Sequence, residues 1–117
     1  MVKIIFLIIL LTAIIPCSAA QVRNELPGWI NALIRKFEAE EVGNPPRSIW
    51  QYEYKGQIVY YLPEQCCDLG SELYSRQGTK ICSPDGGYAG IGDGKCSDFL
   101  DQRKNEKLIW KDSRKHD

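Results

Sequence analysis

The sequence predicts an α+β domain in which an N-terminal amphipathic helix packs on a small antiparallel sheet of four or five strands, with two disulfides and a glycine-rich loop. Three observations predict it. Apolar residues recur at helical spacing early in the domain, two β-rich hairpin patterns follow, and four of the five cysteines stand beyond a secretory leader.

The leader is MVKIIFLIILLTAIIPCSAA, with Lys3, an apolar run from Ile4 to Leu11 continued to Ile15, then Pro16 and small residues. That order is a signal peptide, and Ser18 and Ala20 suit cleavage before Gln21. A retained anchor needs about twenty apolar residues between charged flanks. Pro16 stands where a lipidation signal for Cys17 carries a small residue, which favours free secretion. The expected product is residues 21–117, one disulfide-stabilised domain with its core at about 26–112, extracellular or, in a bacterium, periplasmic.

Loss of Lys3 leaves 14 basic residues against 15 acidic. A near-neutral chain lacks the electrostatic footprint that binding a polyanion requires, so nucleic acid is not an expected partner. A domain of this size buries only a small core, and cross-links then contribute noticeably. A monomer with no membrane span after cleavage is expected.

From Leu26 to Glu41 the apolar residues Leu26, Trp29, Ile30, Leu33, Ile34 and Phe37 recur at three and four, while Asn31, Arg35, Lys36, Glu38 and Glu40 face elsewhere. This is an amphipathic helix, with Pro27 in its first turn and Gly43-Asn44-Pro45-Pro46 beyond its end. Its mixed charges suit a core-facing helix better than a membrane-surface one.

Next, IWQYEYKGQIVYYL holds two β-rich runs around Lys55-Gly56, a tight hairpin in which Gly56 supplies a positive φ. A two-residue loop sets Trp50 opposite Tyr61 and Tyr52 opposite Val59. Trp50, Tyr52, Tyr54, Val59 and Tyr61 then share one face, and Ile49, Ile58, Tyr60 and Leu62 lie on the other with Gln51 and Glu53. One face receives the helix. The other is either covered by the glycine-rich loop or left as an exposed aromatic platform for sugars or a peptide.

A second hairpin runs from Ser71 to Tyr74, turns at Ser75-Arg76-Gln77-Gly78 and returns from Thr79 to Cys82. Cys66, Cys67, Cys82 and Cys96 read as two disulfides, because their C-C-x14-C-x13-C spacing lacks both the knuckles of a zinc site and the C-x-x-C of a redox pair. With a bond between neighbours set aside, two pairings remain: Cys66–Cys82 with Cys67–Cys96, or Cys66–Cys96 with Cys67–Cys82. Adjacent strand residues point to opposite faces, so neighbours can reach different partners. Each bridge would contribute roughly 3 kcal/mol.

The stretch SPDGGYAGIGDGKCSDF contains five glycines together with Asp85, Asp93 and Asp98. It is not a phosphate loop, since Ala89 and Cys96 stand where glycine and a hydroxyl belong. Nor is it an EF-hand, which would place Ala89, Ile91 and Leu100 at ligand positions. Asp68, Asp85, Asp93 and Asp98 remain the candidates for an irregular calcium site; no metal or other cofactor is otherwise expected. A loop pinned between Cys82 and Cys96 is also where a binding site would sit. In the tail, Leu108, Ile109 and Trp110 could add a last strand or pack against the helix. The single histidine, His116, stands beside the terminus, so no Ser-His-Asp or Cys-His arrangement can be built and no catalytic residue is assigned.

The residues Tyr52, Tyr54-Lys55-Gly56, Val59-Tyr60-Tyr61, Cys66-Cys67-Asp68, Leu73-Tyr74, Gly78, Ile81-Cys82, Pro84-Asp85-Gly86-Gly87, Gly90, Gly92-Asp93-Gly94-Lys95-Cys96 and Phe99 form a recognisable pattern. Over about residues 27 to 112 it resembles a domain-of-unknown-function family of small exported proteins, many bacterial and some lipidated. The resemblance implies a secreted or envelope-associated domain and brings no activity or catalytic residue with it.

The expected function is a non-enzymatic extracellular binding or structural module for a protein or glycan, with Tyr88, Asp85 and Asp93 of the loop or Trp50, Tyr52 and Tyr61 of the hairpin as its surface. The alternatives are a secreted inhibitor of a hydrolase such as a protease, presenting a loop of fixed conformation, and a domain stabilised by calcium.

Overall fold

The computed structural model describes residues 26–115. The leader, Cys17 and His116 lie outside the described residues. The elements are α1 (Gly28–Ala39), β1 (Ser48–Tyr54), β2 (Gln57–Leu62), β3 (Glu72–Ser75), β4 (Lys80–Cys82), the short α2 (Phe99–Gln102) and β5 (Lys104–Lys111). The five strands form one sheet in the order β4-β3-β2-β1-β5, with every neighbouring pair antiparallel. The architecture is therefore α+β. The helix is the first described element, some way into the chain rather than at its terminus.

Helix α1 starts one residue after Pro27, whose carbonyl accepts from Ile30 N–H at 2.9 Å. It stops at Ala39, before the Gly-Asn-Pro-Pro stretch. Its last carbonyls take a partner from far along the chain. The Arg114 guanidinium donates to Phe37 O, Glu38 O and Glu40 O at 3.0, 3.2 and 2.9 Å and forms a fork on the Asp112 carboxylate. A cation at a helix C-terminus satisfies carbonyls that have no intrahelical donor and complements the dipole.

The β1–β2 hairpin has the expected register, Trp50 opposite Tyr61 and Tyr52 opposite Val59. Lys55 joins Gly56 at positive φ, 50° and 74°, as a two-residue turn that follows the sheet's twist demands of both central residues. Because the register holds, so do the faces. Ile30 and Phe37 of α1 bury against Ile49, Tyr60 and Leu62, with Leu26, Trp29, Leu33, Ile34, Ile109 and Trp110 around them. Trp110 stacks on Phe37 at 6.0 Å, so the tail both adds the last strand and packs against the helix.

The opposite face is not a platform. Tyr52, Tyr54, Val59, Tyr61 and Leu73 are buried there with Cys82, Cys96 and Phe99, and Trp50 packs against them. Phe99 is fully buried, its ring 5.5, 5.3 and 5.6 Å from those of Tyr52, Tyr54 and Tyr61. The glycine-rich segment leaves β4, crosses this face and sets down Phe99 on it. Of the two possibilities for the hairpin's aromatic side, coverage by the loop is the one observed.

The cysteine pairing differs from both expected alternatives. Cys82 pairs with Cys96, and Cys66 pairs with its neighbour Cys67. Cys66 and Cys67 lie in an exposed turn between β2 and β3, not on a strand, so the two-sided geometry of a strand does not apply to them. Cys82 ends β4 inside the core beneath the returning loop, where Cys96 reaches it with a Cα–Cα distance of 6.2 Å.

Candidate functional site

The segment from Ser83 to Asp98 is ordered by hydrogen bonds rather than by a regular element. Ser71, fully buried ahead of β3, is its inner anchor. Its N–H donates to Asp85 O at 3.0 Å, while its hydroxyl donates to that same oxygen and accepts from Asp85 N–H, both at 3.1 Å. The Asp85 carboxylate accepts from the Tyr61 hydroxyl at 2.8 and 3.0 Å. Burial, reinforced by that carboxylate, raises the Tyr61 phenol well above its ordinary value, so it stays a donor.

Asp93 closes the next turn. Its carboxylate accepts from Lys95 N–H at 3.0 Å and Ser83 N–H at 2.9 Å, and its own N–H donates to Ser83 O at 2.9 Å. The Lys95 N–H, with help from Ser83, holds its carboxyl below the usual carboxylate range. Gly92 sits between these ties at φ 71°, its N–H bonded to Gly86 O at 3.0 Å. A Cβ there would overlap the main chain of Ser83, Pro84 and Asp85, so only glycine allows the two passes of the loop to touch.

A third tie comes from outside. Oε1 of Glu64, in the Pro-Glu-Gln-Cys-Cys turn, accepts from Gly70 N–H at 3.3 Å and Gly87 N–H at 2.9 Å. It joins the β2–β3 connection to the glycine loop. Asp98, at the far end, accepts from the Tyr54 hydroxyl and lies 3.8 Å from Lys55 Nζ. The Tyr54 hydroxyl, then Lys55, lowers its carboxyl.

The residues singled out in the sequence therefore separate into three groups. Tyr52 and Tyr61 are 3% and 9% exposed and Trp50 is partly buried, so the hairpin rings are core, a correction to their reading as a surface. Asp85, Asp93 and Asp98 hold the loop together, each with its own donors. With Asp68 they do not converge, and among the described residues no group of three or more acidic, cysteine or histidine side chains could hold a metal ion. Tyr88 is outward-facing, at 95% exposure, and makes no such tie to the loop's carboxylates.

Two residues escaped sequence reasoning. Leu69 and Ile91 are each 71% exposed, Leu69 beside the Gly70 that Glu64 binds and Ile91 bridged to Gly86. The available signal was local: each is a lone large apolar side chain next to a glycine, in a stretch with no period to bury it. Together Leu69, Tyr88 and Ile91 put three large apolar groups in water on a backbone tied at Ser71, Glu64 and Asp93. Among the described residues no helix is long and apolar enough to cross a membrane.

No curated protein and no solved structure matches the chain. One family does, over residues 35–112, a span that runs from within α1 through β5 and includes the whole glycine loop, both disulfides and Glu64. The chain belongs to that family, described as a domain of unknown function (DUF6970).

Proposed function

We propose that this is a secreted, non-enzymatic binding module whose contact surface is the glycine-loop tip, with Tyr88 at its centre and Leu69 and Ile91 beside it, and whose partner is an extracellular protein or glycan. One observation carries the reading: three large apolar side chains are held in solvent on backbone that is cross-tied at three places. Exposed apolar groups lose hydration on contact, and a preformed loop loses little conformational entropy when it binds. An aromatic ring at the tip suits either a sugar face or a protein pocket. The carboxylates close by are engaged in holding the loop, which favours binding over acid–base work. The leader-like first twenty residues support export.

The test is a comparison on glycan arrays and extracellular-protein arrays between the natural chain and a Leu69→Ser/Tyr88→Ala/Ile91→Ser variant. The substituted side chains are largely exposed, so folding should survive, and the variant should lose the natural chain's ligands. Retention of every ligand by a folded variant removes the proposal. A hydrolase inhibitor is the second reading, favoured by the covalent ring that Cys82–Cys96 closes around the exposed tip. Inhibition of a secreted protease, abolished by Tyr88→Ala, would support it; no inhibition across a protease panel would remove it.

A further inference from the structure

The two disulfides differ in their access to solvent. Cys82 and Cys96 are buried among Tyr54, Leu73 and Phe99, where an attacking thiolate has no path to either sulfur in the folded state. Cys66 and Cys67 are both exposed, and Cys66 lines a cleft of 390 Å³ together with Asn44, Pro45, Glu64, Gln65 and Asp68. The two ionisable groups of that cleft are carboxylates; every attacking thiolate is itself anionic, so they repel most a thiol that carries further negative charge and least one whose other groups are uncharged or basic.

The exposed pair also sits inside a structural loop. Glu64 stands two residues before Cys66 and Gly70 three after Cys67, and Glu64 Oε1 spans from Gly70 N–H to Gly87 N–H. Cys66 N–H donates to Asn44 O at 2.6 Å, which holds the same turn from the other side. A covalent ring through Cys66 and Cys67 restricts the backbone between these ties, and opening it returns that freedom to the turn.

We propose that Cys66–Cys67 is a thiol–disulfide exchange site for an uncharged or basic dithiol, chemically separate from Cys82–Cys96, and that its reduction loosens the Glu64 tie to the glycine loop. One thiolate of the dithiol attacks Cys66 Sγ, forming a mixed disulfide as the Cys66–Cys67 bond breaks. Cys67 leaves with the bonding pair and takes a proton from water. The second thiolate of the reductant then attacks its own sulfur in the mixed disulfide, releasing Cys66, which is protonated in turn. The dithiol is oxidised by two electrons and the protein gains two thiols.

The folded chain is treated with neutral dithiothreitol or with anionic glutathione, at low and high ionic strength, then alkylated and digested with trypsin. The sequence places Cys66 and Cys67 together on the peptide 56–76, Cys82 on 81–95 and Cys96 on 96–103. Both cysteines of 56–76 should be alkylated while the other two peptides stay linked. Glutathione should be slower by about tenfold at low salt, the gap narrowing as salt screens the carboxylates. Glu64→Gln should narrow the gap in the same way. In the reduced chain the amides of Gly70 and Gly87 should exchange with solvent about tenfold faster. Equal reactivity of all four cysteines, or no reaction short of unfolding, overturns the exchange site. Unchanged exchange at Gly70 and Gly87, in the reduced chain or in a folded Cys66→Ser/Cys67→Ser variant, overturns the coupling to the loop.

Discussion

Phe99→Ala should be the most damaging single truncation on the sheet face that carries the glycine loop. The Phe99 ring is fully buried and lies within 5.6 Å, centroid to centroid, of Tyr52, Tyr54 and Tyr61. Alanine leaves roughly 100 Å³ unfilled, and at about 24 cal/mol per Å³ that is worth about 2.4 kcal/mol. Lost transfer free energy adds about 2 kcal/mol. The sum, about 3 to 5 kcal/mol, is a large part of the roughly 5 to 10 kcal/mol that holds a domain of this size. At about 4 to 8 °C per kcal/mol the melting temperature should fall by at least about 12 °C. Urea unfolding followed by far-ultraviolet circular dichroism measures the loss, with Phe99→Leu as a control that keeps most of the volume and costs under about 1.5 kcal/mol. Hydrogen exchange adds a spatial check, since protection should drop first between Ser83 and Asp98 while α1 keeps its own. A loss below about 1 kcal/mol for the alanine variant would refute the idea that Phe99 fastens the loop to the sheet.

Tryptic mapping without reduction should return 81–95 linked to 96–103 and leave 56–76 unlinked; any bridge between 56–76 and the others would contradict the pairing. Replacing Cys82 and Cys96 together should lower stability by roughly 3 kcal/mol, as expected for opening a ring of about fifteen residues, whereas replacing Cys66 and Cys67 opens no comparable loop and should lower it far less. Gly56→Ala meets no neighbour and should cost about 1 to 2 kcal/mol through its left-handed backbone, while Gly92→Ala adds a main-chain overlap and should cost clearly more in the same thermal melt; equal losses would contradict the close packing at Gly92. Burial, with Glu106 and Glu72 respectively, pushes the Tyr52 and Tyr74 phenols from 10.0 up to about 12. The fold thus favours their protonated forms, so this stabilisation is complete below pH 10 and disappears as pH rises from there towards 12, which a denaturant midpoint measured against pH should show and a flat midpoint would disprove.

Much of the fold was legible because its causes are local. The spacing of Trp29, Ile30, Leu33 and Phe37 specifies both a helix and the side it buries. Lys55-Gly56 specifies a two-residue turn, and period-two alternation then assigns every residue of β1 and β2 to a face. In each case neighbours a few residues apart decide the outcome, so sequence distance and spatial distance agree.

The functional features follow from chain closure instead. An aromatic hairpin face is the same in sequence whether it is covered or bare. What covers it here is Phe99, more than thirty residues after β2, delivered by a loop whose path depends on glycines at positive φ. The cysteines show the same division. Four cysteines beyond the first twenty residues announced two disulfides, yet the partners depended on Cys66 and Cys67 lying in a turn and Cys82 lying under the returning loop. The aspartates looked like free ligands in sequence and became fastenings once Tyr61, Tyr54 and the Ser83 main chain reached them. By itself the sequence determined the helix, the hairpins, the register of the first hairpin and the number of cross-links. Only the tertiary structure decided which rings are core, which cysteines meet and which large apolar side chains are left in water, because each of those depends on contacts between segments that no local pattern relates.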